Sequence, residues 1–278
     1  MKKFMAQSTE RGLTFSSLHL KSWGVGMITV FILAILWEIG SRMGWVDSYA
    51  LPRPSVLARS LLDMVWVGFP MGVTVWSHVW ATVWRIVQGF LLATSVAIPL
   101  GLIIGGNRGL DKATNPIVTF ARSMAIISLL PLAIAWFGVG ELSKVLLITY
   151  GCFWTILTNV IEGTKQVDPD LIRAGRMLGA DPRQIFFRVI LPATMPRIFA
   201  GMKIALGVGF MIIVAVEMVG TIEGLGALLM QARSFYRSDV AMVGMIFIAL
   251  FGFFLAKVLD RLEYILLPWA IGLEQVER

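Results

Sequence analysis

Hydrophobic residues in this chain are gathered into long blocks, and short charged segments separate the blocks. A bilayer core about 30 Å thick requires roughly 20 apolar residues per helix. Six blocks meet that length, at residues 23–41, 79–104, 116–137, 143–161, 196–220 and 240–267. The pattern therefore predicts an all-α integral membrane protein with about six transmembrane helices.

The blocks lack the polar face that a surface helix of a soluble protein carries. Residues 24–37, GVGMITVFILAILW, are apolar on every side of a helix. The composition agrees, since 57% of the 278 residues are hydrophobic and the mean hydropathy is +0.79. The net charge of +7 then indicates membrane orientation. No block of Lys and Arg is dense enough to indicate nucleic acid binding.

Lys and Arg are enriched in cytoplasmic loops, so their distribution predicts the topology. With the N-terminus inside, the inner segments contain fifteen basic residues and the outer segments six. The inner segments are 1–22, 105–115, 162–198 and 257–278, and the outer ones are 42–79, 138–144 and 220–240. Both termini are therefore predicted to be cytoplasmic. We expect a cytoplasmic N-terminal segment at 1–22 and a single transmembrane domain at 23–278, with a cytoplasmic loop at 162–195.

The segment between the first two blocks, LPRPSVLARSLLDMVWVGF, has a different pattern. Pro52 and Pro54 prevent a helix from beginning before Ser55. Apolar and charged residues then alternate on a helical period. This predicts a helix that lies along the membrane interface, and a short soluble cap is the alternative.

Residues 168–192, DPDLIRAGRMLGADPRQIFFRVILP, carry seven charges. Asp168 followed by Pro169 is a strong helix start, because the carboxylate accepts a bond from a free N–H and proline lacks one. Gly179 is a natural stop, and Asp181 with Pro182 repeats the start signal. The segment is predicted to form two short helices, at 169–178 and 182–190.

The first of these helices is amphipathic. Leu171, Ala174, Gly175 and Leu178 fall on one stripe, and Asp170, Arg173 and Arg176 fall on the opposite side. Such a helix can lie on lipid, pack on its own membrane domain or dock into another protein. Two small residues and two leucines suit close approach to a protein groove better than lipid insertion.

This loop resembles the EAA motif in the membrane subunits of ATP-binding-cassette importers. That pattern is Glu-Ala-Ala, three residues, Gly, nine residues, Ile, one residue and Leu-Pro. Gly179, Leu191 and Pro192 match at that spacing, and Val189 replaces the isoleucine. Arg173-Ala174-Gly175 stand in place of Glu-Ala-Ala, so the chain departs from the pattern at the glutamate.

The resemblance extends over nearly the whole chain and is to the branch that serves nitrate, sulfonates, taurine and bicarbonate. The matching segments are Leu51-Pro52-Arg53-Pro54-Ser55, Arg85-Ile86 with Gly89-Phe90, Ile98-Pro99-Leu100-Gly101, Pro131-Leu132, Trp136-Phe137-Gly138-Val139-Gly140 with Ser143-Lys144, Ala215-Val216-Glu217 and Gly224-Leu225-Gly226.

The resemblance implies a permease with the type I importer fold in a bacterial inner membrane. It implies a homodimer of this subunit within lipid, two cytoplasmic ATPase subunits that bind ATP and Mg, and an extracytoplasmic solute-binding protein. The loop helix would couple to the ATPase through Leu171, Arg173, Ala174, Gly175, Leu178, Gly179, Ala180 and Asp181. No cofactor is expected in this chain, and no G-x-x-x-x-G-K-[ST] phosphate loop occurs in it.

Charged side chains inside membrane spans are costly and usually face a bundle interior or a cavity. The chain places Glu38, Arg85, Arg122, Lys203 and Glu217 there. We expect Arg85 and Arg122 to attract an anion along the pathway. Equally, each can extend its charge to the membrane surface or pair with a carboxylate. Glu217 lies too far along its helix from Lys203 to pair with it, and either lines an outer gate or packs between helices.

Two other functions compete with an ATP-driven importer. A secondary transporter predicts internal repeats and paired ionisable residues at mid-membrane, and neither is evident. An intramembrane enzyme predicts a catalytic constellation, which is also lacking. His19 and His78 have no partner spacing for a metal site, and the single Cys152 has no disulfide partner.

Overall fold

The computed structural model describes residues 28–29, 31–44, 47, 49–70 and 72–269. Within these residues the secondary structure is helical and no strand occurs. The predicted N-terminal segment at 1–22, the start of the first predicted span and residues 270–278 lie outside the described part.

The helices follow one another with short connections. They are α1 (residues 31–42), α2 (Pro54–Trp66), α3 (Val75–Gly106), α4 (Arg108–Ser123), a 3₁₀ turn (Ile126–Leu129), α5 (Leu130–Phe137), α6 (Glu141–Lys165), α7 (Pro169–Met177), α8 (Pro182–Ile185), a π-helical turn (Phe186–Ile190), α9 (Leu191–Glu217), α10 (Leu225–Ser234) and α11 (Ser238–Leu266).

Four helical stretches are long and apolar enough to cross a membrane, and they correspond to four of the predicted spans. They are α3, α6, the stretch Pro182–Glu217 and α11. The predicted first span is helical over the described residues 31–42. A total of six spans therefore stays a prediction.

Helix α6 lies at the centre of the bundle, between α3 and α9. Glycines allow α3 to approach it closely, since a Cβ atom on Gly101 would lie 2.7 Å from Val160 Cβ. Gly105 is similarly placed against Thr164, so contacting residues advance together along both helices and α3 and α6 run parallel. We call the end of the bundle that holds residues 106–111 and 165–185 the loop end, and the opposite end, with Glu141 and Glu217, the far end.

The third predicted span, 116–137, is wrong as a single helix. Instead α4 and the segment Ile126–Phe137 meet at an angle of 83°. Met124 and Ala125 have extended backbone between them, and Pro131 lacks the N–H that would continue an α-helical ladder from the preceding turn. Moreover, α4 begins earlier than expected because the Asn107 side chain caps it, accepting from the Gly109 N–H at 2.9 Å.

The second predicted loop helix, 182–190, and the fifth predicted span, 196–220, are also wrong as separate elements. The helix is continuous from Pro182 to Glu217. Pro192 removes one backbone donor and its ring would crowd the preceding turn. The wider π-helical turn at Phe186–Ile190 directly precedes it and lets the chain continue without a break.

At the far end, two short helices cover the bundle. The predicted helix is present as α2, but it begins at Pro54 and not at Ser55, because proline fits the first helical position. It packs on the start of α11 through the Ser60 Oγ to Asp239 Oδ2 hydrogen bond of 2.5 Å. Helix α10, which the hydrophobic pattern did not predict, packs against α9 and α11. Together these contacts close the far end, where the buried ion network described below lies.

Candidate functional site

The loop-end segment 168–185 is ordered by its own backbone and capping bonds. The Asp168 carboxylate accepts from the Asp170 N–H at 2.8 Å and begins α7. Asp181 and Gln184 form a reciprocal capping box, with bonds of 2.7 and 3.1 Å, and begin α8. Both predicted helix starts are therefore confirmed.

Gly179 forms the corner between the two helices, as predicted. Its φ is +78°, a left-handed conformation that glycine adopts without steric cost. The Ala180 N–H donates to Gly175 O at 3.1 Å and the Gly179 N–H to Arg176 O at 3.0 Å. This pair of bonds is a Schellman motif, which ends α7 and satisfies its last carbonyl groups.

One face of α7 presents apolar side chains to the outside. Leu178 and Met177 are each 87% exposed, and Leu171 is 52% exposed. Ala174 lies between them and is also exposed. A contiguous group of large, exposed apolar side chains is rare on a surface that faces water. Such a group indicates a surface that is buried against another molecule. Met177 was not part of the predicted stripe.

Gly175 does not belong to that exposed face. A Cβ atom on it would lie 3.7 Å from Ile185 Cγ1 and 3.8 Å from Val189 Cγ2. The structure therefore places Gly175 toward the following helical segment, which corrects its place in the predicted stripe. On the polar side, Arg173 forms an ion pair with Asp170, and both side chains are exposed.

A second polar cluster lies at the far end and centres on Arg85 of α3. Its Nη1 donates to Glu217 Oε1 at 2.6 Å, while Nε and Nη2 donate to the two oxygens of Glu141 at 2.5 and 2.8 Å. Arg85 is 5% exposed and Glu217 is fully buried. The two buried charges therefore compensate each other inside the protein.

The Glu217 carboxylate also holds the turn before α10. It accepts from Thr82 Oγ1 at 2.8 Å and from the Gly226 N–H at 3.0 Å. Thr82 Oγ1 in turn accepts from the Leu225 N–H at 2.8 Å. A Cβ atom on Gly224 would lie 2.4 Å from Glu217 Cδ, and the φ of this residue is +139°. Only glycine fits this approach of the turn to the carboxylate.

His78 completes the attachment of that turn. Its Nδ1 lies 3.1 Å from Gly224 N, and its Nε2 lies 3.1 Å from Phe69 O. The tautomer with hydrogen on Nε2 satisfies both backbone groups. The imidazole therefore has a structural role. Among the residues that the structure describes, no group of three or more metal-ligating side chains occurs.

The three predicted pathway residues have different surroundings. Arg85 and Glu217 are brought together as an ion pair, which is the carboxylate-pairing alternative. Arg122 lies on α4, is exposed and has no hydrogen bond or ion pair with any residue in the described part of the chain. Lys203 does not pair with Glu217, as their separation along the helix predicted, and it pairs instead with Asp260 at 2.8 Å and with Glu263 at 2.5 Å. A pathway role for these side chains stays a prediction.

Comparison with known proteins identifies the family. The sequence profile of the binding-protein-dependent transport system inner membrane component matches residues 97–271. The chain is 33% identical over 241 residues to the taurine transport system permease protein of Escherichia coli strain K12, covering 87% of this chain and 88% of that protein. It is 30% identical over 244 residues to the bicarbonate transport system permease protein of Synechocystis, covering 84% and 85%.

Another relative is the putative aliphatic sulfonates transport permease protein of Bacillus subtilis, which is 28% identical over 247 residues and is covered to 88%. Among solved structures, an inward-facing conformation of the MetNI methionine ABC transporter matches with a TM-score of 0.58 and 21% identity. The match covers 66% of this chain and 92% of that one, and it supports the fold. A secondary transporter is not favoured by these matches. The chain belongs to the binding-protein-dependent transport system inner membrane component family, and it is a permease subunit of an ATP-binding-cassette importer.

Proposed function

We propose that this permease works as a homodimer and forms the pathway for a small anionic solute that an external binding protein delivers. The solute class is nitrate, a sulfonate such as taurine, bicarbonate or an organic acid. The relatives named for taurine, aliphatic sulfonates and bicarbonate transport support this class. Equilibrium binding of these anions by the partner binding protein tests it, and a partner that binds only neutral or cationic solutes would exclude it.

The exposed apolar face of α7 is the observation that carries the coupling part of the proposal. Leu171, Ala174, Met177 and Leu178 form a short strip on a helix whose two ends are capped. An amphipathic helix of this kind fits a groove on another protein. We assign the groove to an ATPase subunit, which binds ATP and Mg and performs the hydrolysis.

The coupling residues then divide into two groups. Leu171, Ala174 and Leu178, together with Met177, supply the contact surface. Gly179, Ala180 and Asp181 hold the corner that orients α7 on α8, through the Schellman motif and the capping box. Gly175 contributes by allowing the close approach of the following segment. Arg173, which stands where the family pattern has glutamate, is engaged by Asp170.

Replacing Ala174 with Glu tests the coupling assignment. The new carboxylate would be buried without a partner in the ATPase groove, which costs several kcal/mol. We therefore expect ATPase binding, transport and substrate-stimulated ATP hydrolysis to fall at least about tenfold, with normal expression of the permease. Arg176→Glu is the matched control, because it adds the same carboxylate to the opposite side of α7. Normal ATPase binding by Ala174→Glu would exclude this face as the contact.

We also propose that both termini and the loop end are cytoplasmic, supported by the fifteen-to-six distribution of basic residues. A cysteine at Gln166 should react with an impermeant reagent only from the inside, and one at Ser234 only from the outside. The native Cys152 is fully buried and should not contribute to the signal. The opposite labelling pattern would reverse the topology.

A further inference from the structure

Helix α4 has a polar face on which the side chains of Asn115, Thr119 and Arg122 have no partner among the described residues. Leu110, Ile117 and Phe120 are exposed on its apolar side. On the other side, a cleft of about 120 Å³ runs between α4 and α6. It is lined by Asp111, Thr114, Asn115, Val118, Thr119, Arg122, Thr158, Ile161, Glu162 and Lys165. The volume exceeds the roughly 30 Å³ share of one water molecule, so the cleft accommodates a small polar solute.

The two ends of this cleft differ in charge. At the loop end, Lys165 Nζ pairs with Asp111 Oδ2 at 2.7 Å. At the other end, Tyr150 Oη donates to Ala121 O at 3.0 Å and joins α6 to α4 beside Arg122. Glu162 also lines the cleft, three residues before Lys165, and neither Glu162 nor Arg122 forms an ion pair in the described structure. The inner end of the cleft, beside Tyr150, therefore holds Arg122, and Glu162 lies on the side of Lys165.

Three donors at this inner end have no partner in the described structure. Asn115, Thr119 and Arg122 are spaced i, i+4 and i+7 on α4, and no hydrogen bond or ion pair involves their side chains. Side chains on a helix lean toward its N-terminus, so the Arg122 guanidinium extends toward Thr119 and Asn115. A guanidinium, a hydroxyl and an amide N–H₂ that converge can bind several oxygens of one anion.

We propose that Asn115, Thr119 and Arg122 form a binding site for the oxyanion group of a small solute, such as a sulfonate, sulfate, nitrate or carboxylate. This inference rests on the proposed function, because the site belongs to an anion pathway only if the permease transports an anion. An unpaired arginine on a helix that enters the membrane must face water, and the cleft supplies that contact. The same three side chains can bind a transported anion that is being released. They can equally bind an inorganic anion that enters from the loop end.

Binding of ³⁵S-labelled sulfate to the permease, assembled with its ATPase subunits in lipid nanodiscs, tests the site at constant ionic strength in chloride. We expect saturable binding that Arg122→Gln weakens at least about tenfold, because it removes the charge and the fork of donors. Asn115→Leu and Thr119→Val should each weaken binding severalfold. Arg108→Gln, which removes the same charge from α4 outside the cleft, should leave sulfate affinity unchanged.

Equal sulfate affinity in the native protein and Arg122→Gln would overturn the proposal, as would an equal loss in Arg108→Gln. If Arg122→Gln does not assemble, unchanged affinity in both Asn115→Leu and Thr119→Val overturns it. If the complex imports an anion but has no such sulfate site, this inference is wrong and the proposed function is unaffected. If the complex has the sulfate site but imports no anion, the proposed solute class is wrong and the site is unaffected.

Two functional measurements distinguish the source of the anion in a confirmed site. If it serves the transported solute, Arg122→Gln slows uptake into proteoliposomes while Arg108→Gln does not. If it serves an inorganic anion, sulfate added on the ATPase side inhibits ATP hydrolysis in the native complex and not in Arg122→Gln. Each result supports the site and assigns its occupant.

Discussion

The two ends of the bundle hold their polar groups in place by different means. In the loop at 168–185, every capping bond joins residues at most five positions apart, as in the Asp181 and Gln184 capping box. At the far end, Arg85 reaches Glu141 and Glu217, which are 56 and 132 positions away. The loop at 168–185 is thus fixed by local sequence, whereas the far end exists only when α3, α6 and α9 have assembled. Changes at the far end should affect the whole bundle, and changes in the loop should act locally.

Replacing Arg85 with Met gives the largest expected effect in this comparison. It leaves the fully buried Glu217 without its cation, which costs about 3–5 kcal/mol. We expect a large fall in the thermal midpoint of the detergent-solubilised protein, measured by size-exclusion chromatography after heating.

The double variant Arg85→Met with Glu217→Gln is the control for that loss. Gln has no charge to compensate and still accepts a bond from the Gly226 N–H, so much of the stability should return. If Arg85→Met were as stable as the native protein, the ion pair between Arg85 and Glu217 would not stabilise the bundle. The same conclusion would follow from a double variant no more stable than the single one.

Alanine at two glycines compares the ends directly, with an intermediate effect. Gly179 has a φ of +78° and nothing within 4 Å of an added Cβ, whereas at Gly224 the added atom meets Glu217 Cδ at 2.4 Å. Gly179→Ala incurs a left-handed backbone cost of about 1–2 kcal/mol, and Gly224→Ala incurs a cost of about 1–3 kcal/mol, because its φ of +139° and ψ of 155° are essentially restricted to glycine. Gly224→Ala should lose a further 1–3 kcal/mol or so through overpacking. Equal thermal midpoints for the two variants would show that the far end adapts as easily as the loop.

Gly175→Ala should have the smallest effect. An added Cβ meets Ile185 Cγ1 at an ordinary contact distance of 3.7 Å, and alanine favours a helix over glycine by about 1 kcal/mol. We expect unchanged or slightly higher stability, and an unchanged affinity for the ATPase subunit in a pull-down titration. Reduced affinity, with the loop still folded, would place Gly175 on the contact face beside Ala174.

The same contrast explains which features the sequence could predict. Asp168, Gly179 and Asp181 act through neighbours in the chain, so their residue types already indicate the two helix starts and the corner. Glu141, Thr82 and His78 carry no local signal for their partners, because those partners are set by the packing of helices distant in sequence. Sequence motifs near these residues resemble the family pattern, but a motif does not show which side chains contact each other in the fold.

The errors in predicted element boundaries have a related cause. Hydrophobic blocks locate apolar surface, and they do not show whether a proline ends a helix or is accommodated within it. Pro192 follows a π-helical turn and the helix continues, while Pro131 lies in the first turn of a new helix, α5. The polar half of α4 lay outside the apolar block, so the cleft that contains Arg122 could not be recognised from hydropathy.

The continuous helix from Pro182 to Glu217 links the two ends mechanically. Its 36 residues span about 54 Å, well beyond the roughly 30 Å of a bilayer core. Such a rod acts as a lever, and a tilt of about 5° around its midpoint would shift each end by roughly 2 Å. A shift of that size at Glu217 exceeds the tolerance of a hydrogen bond. A tilt of that size imposed beside Asp181 therefore separates Glu217 from Arg85 unless α3 moves with it.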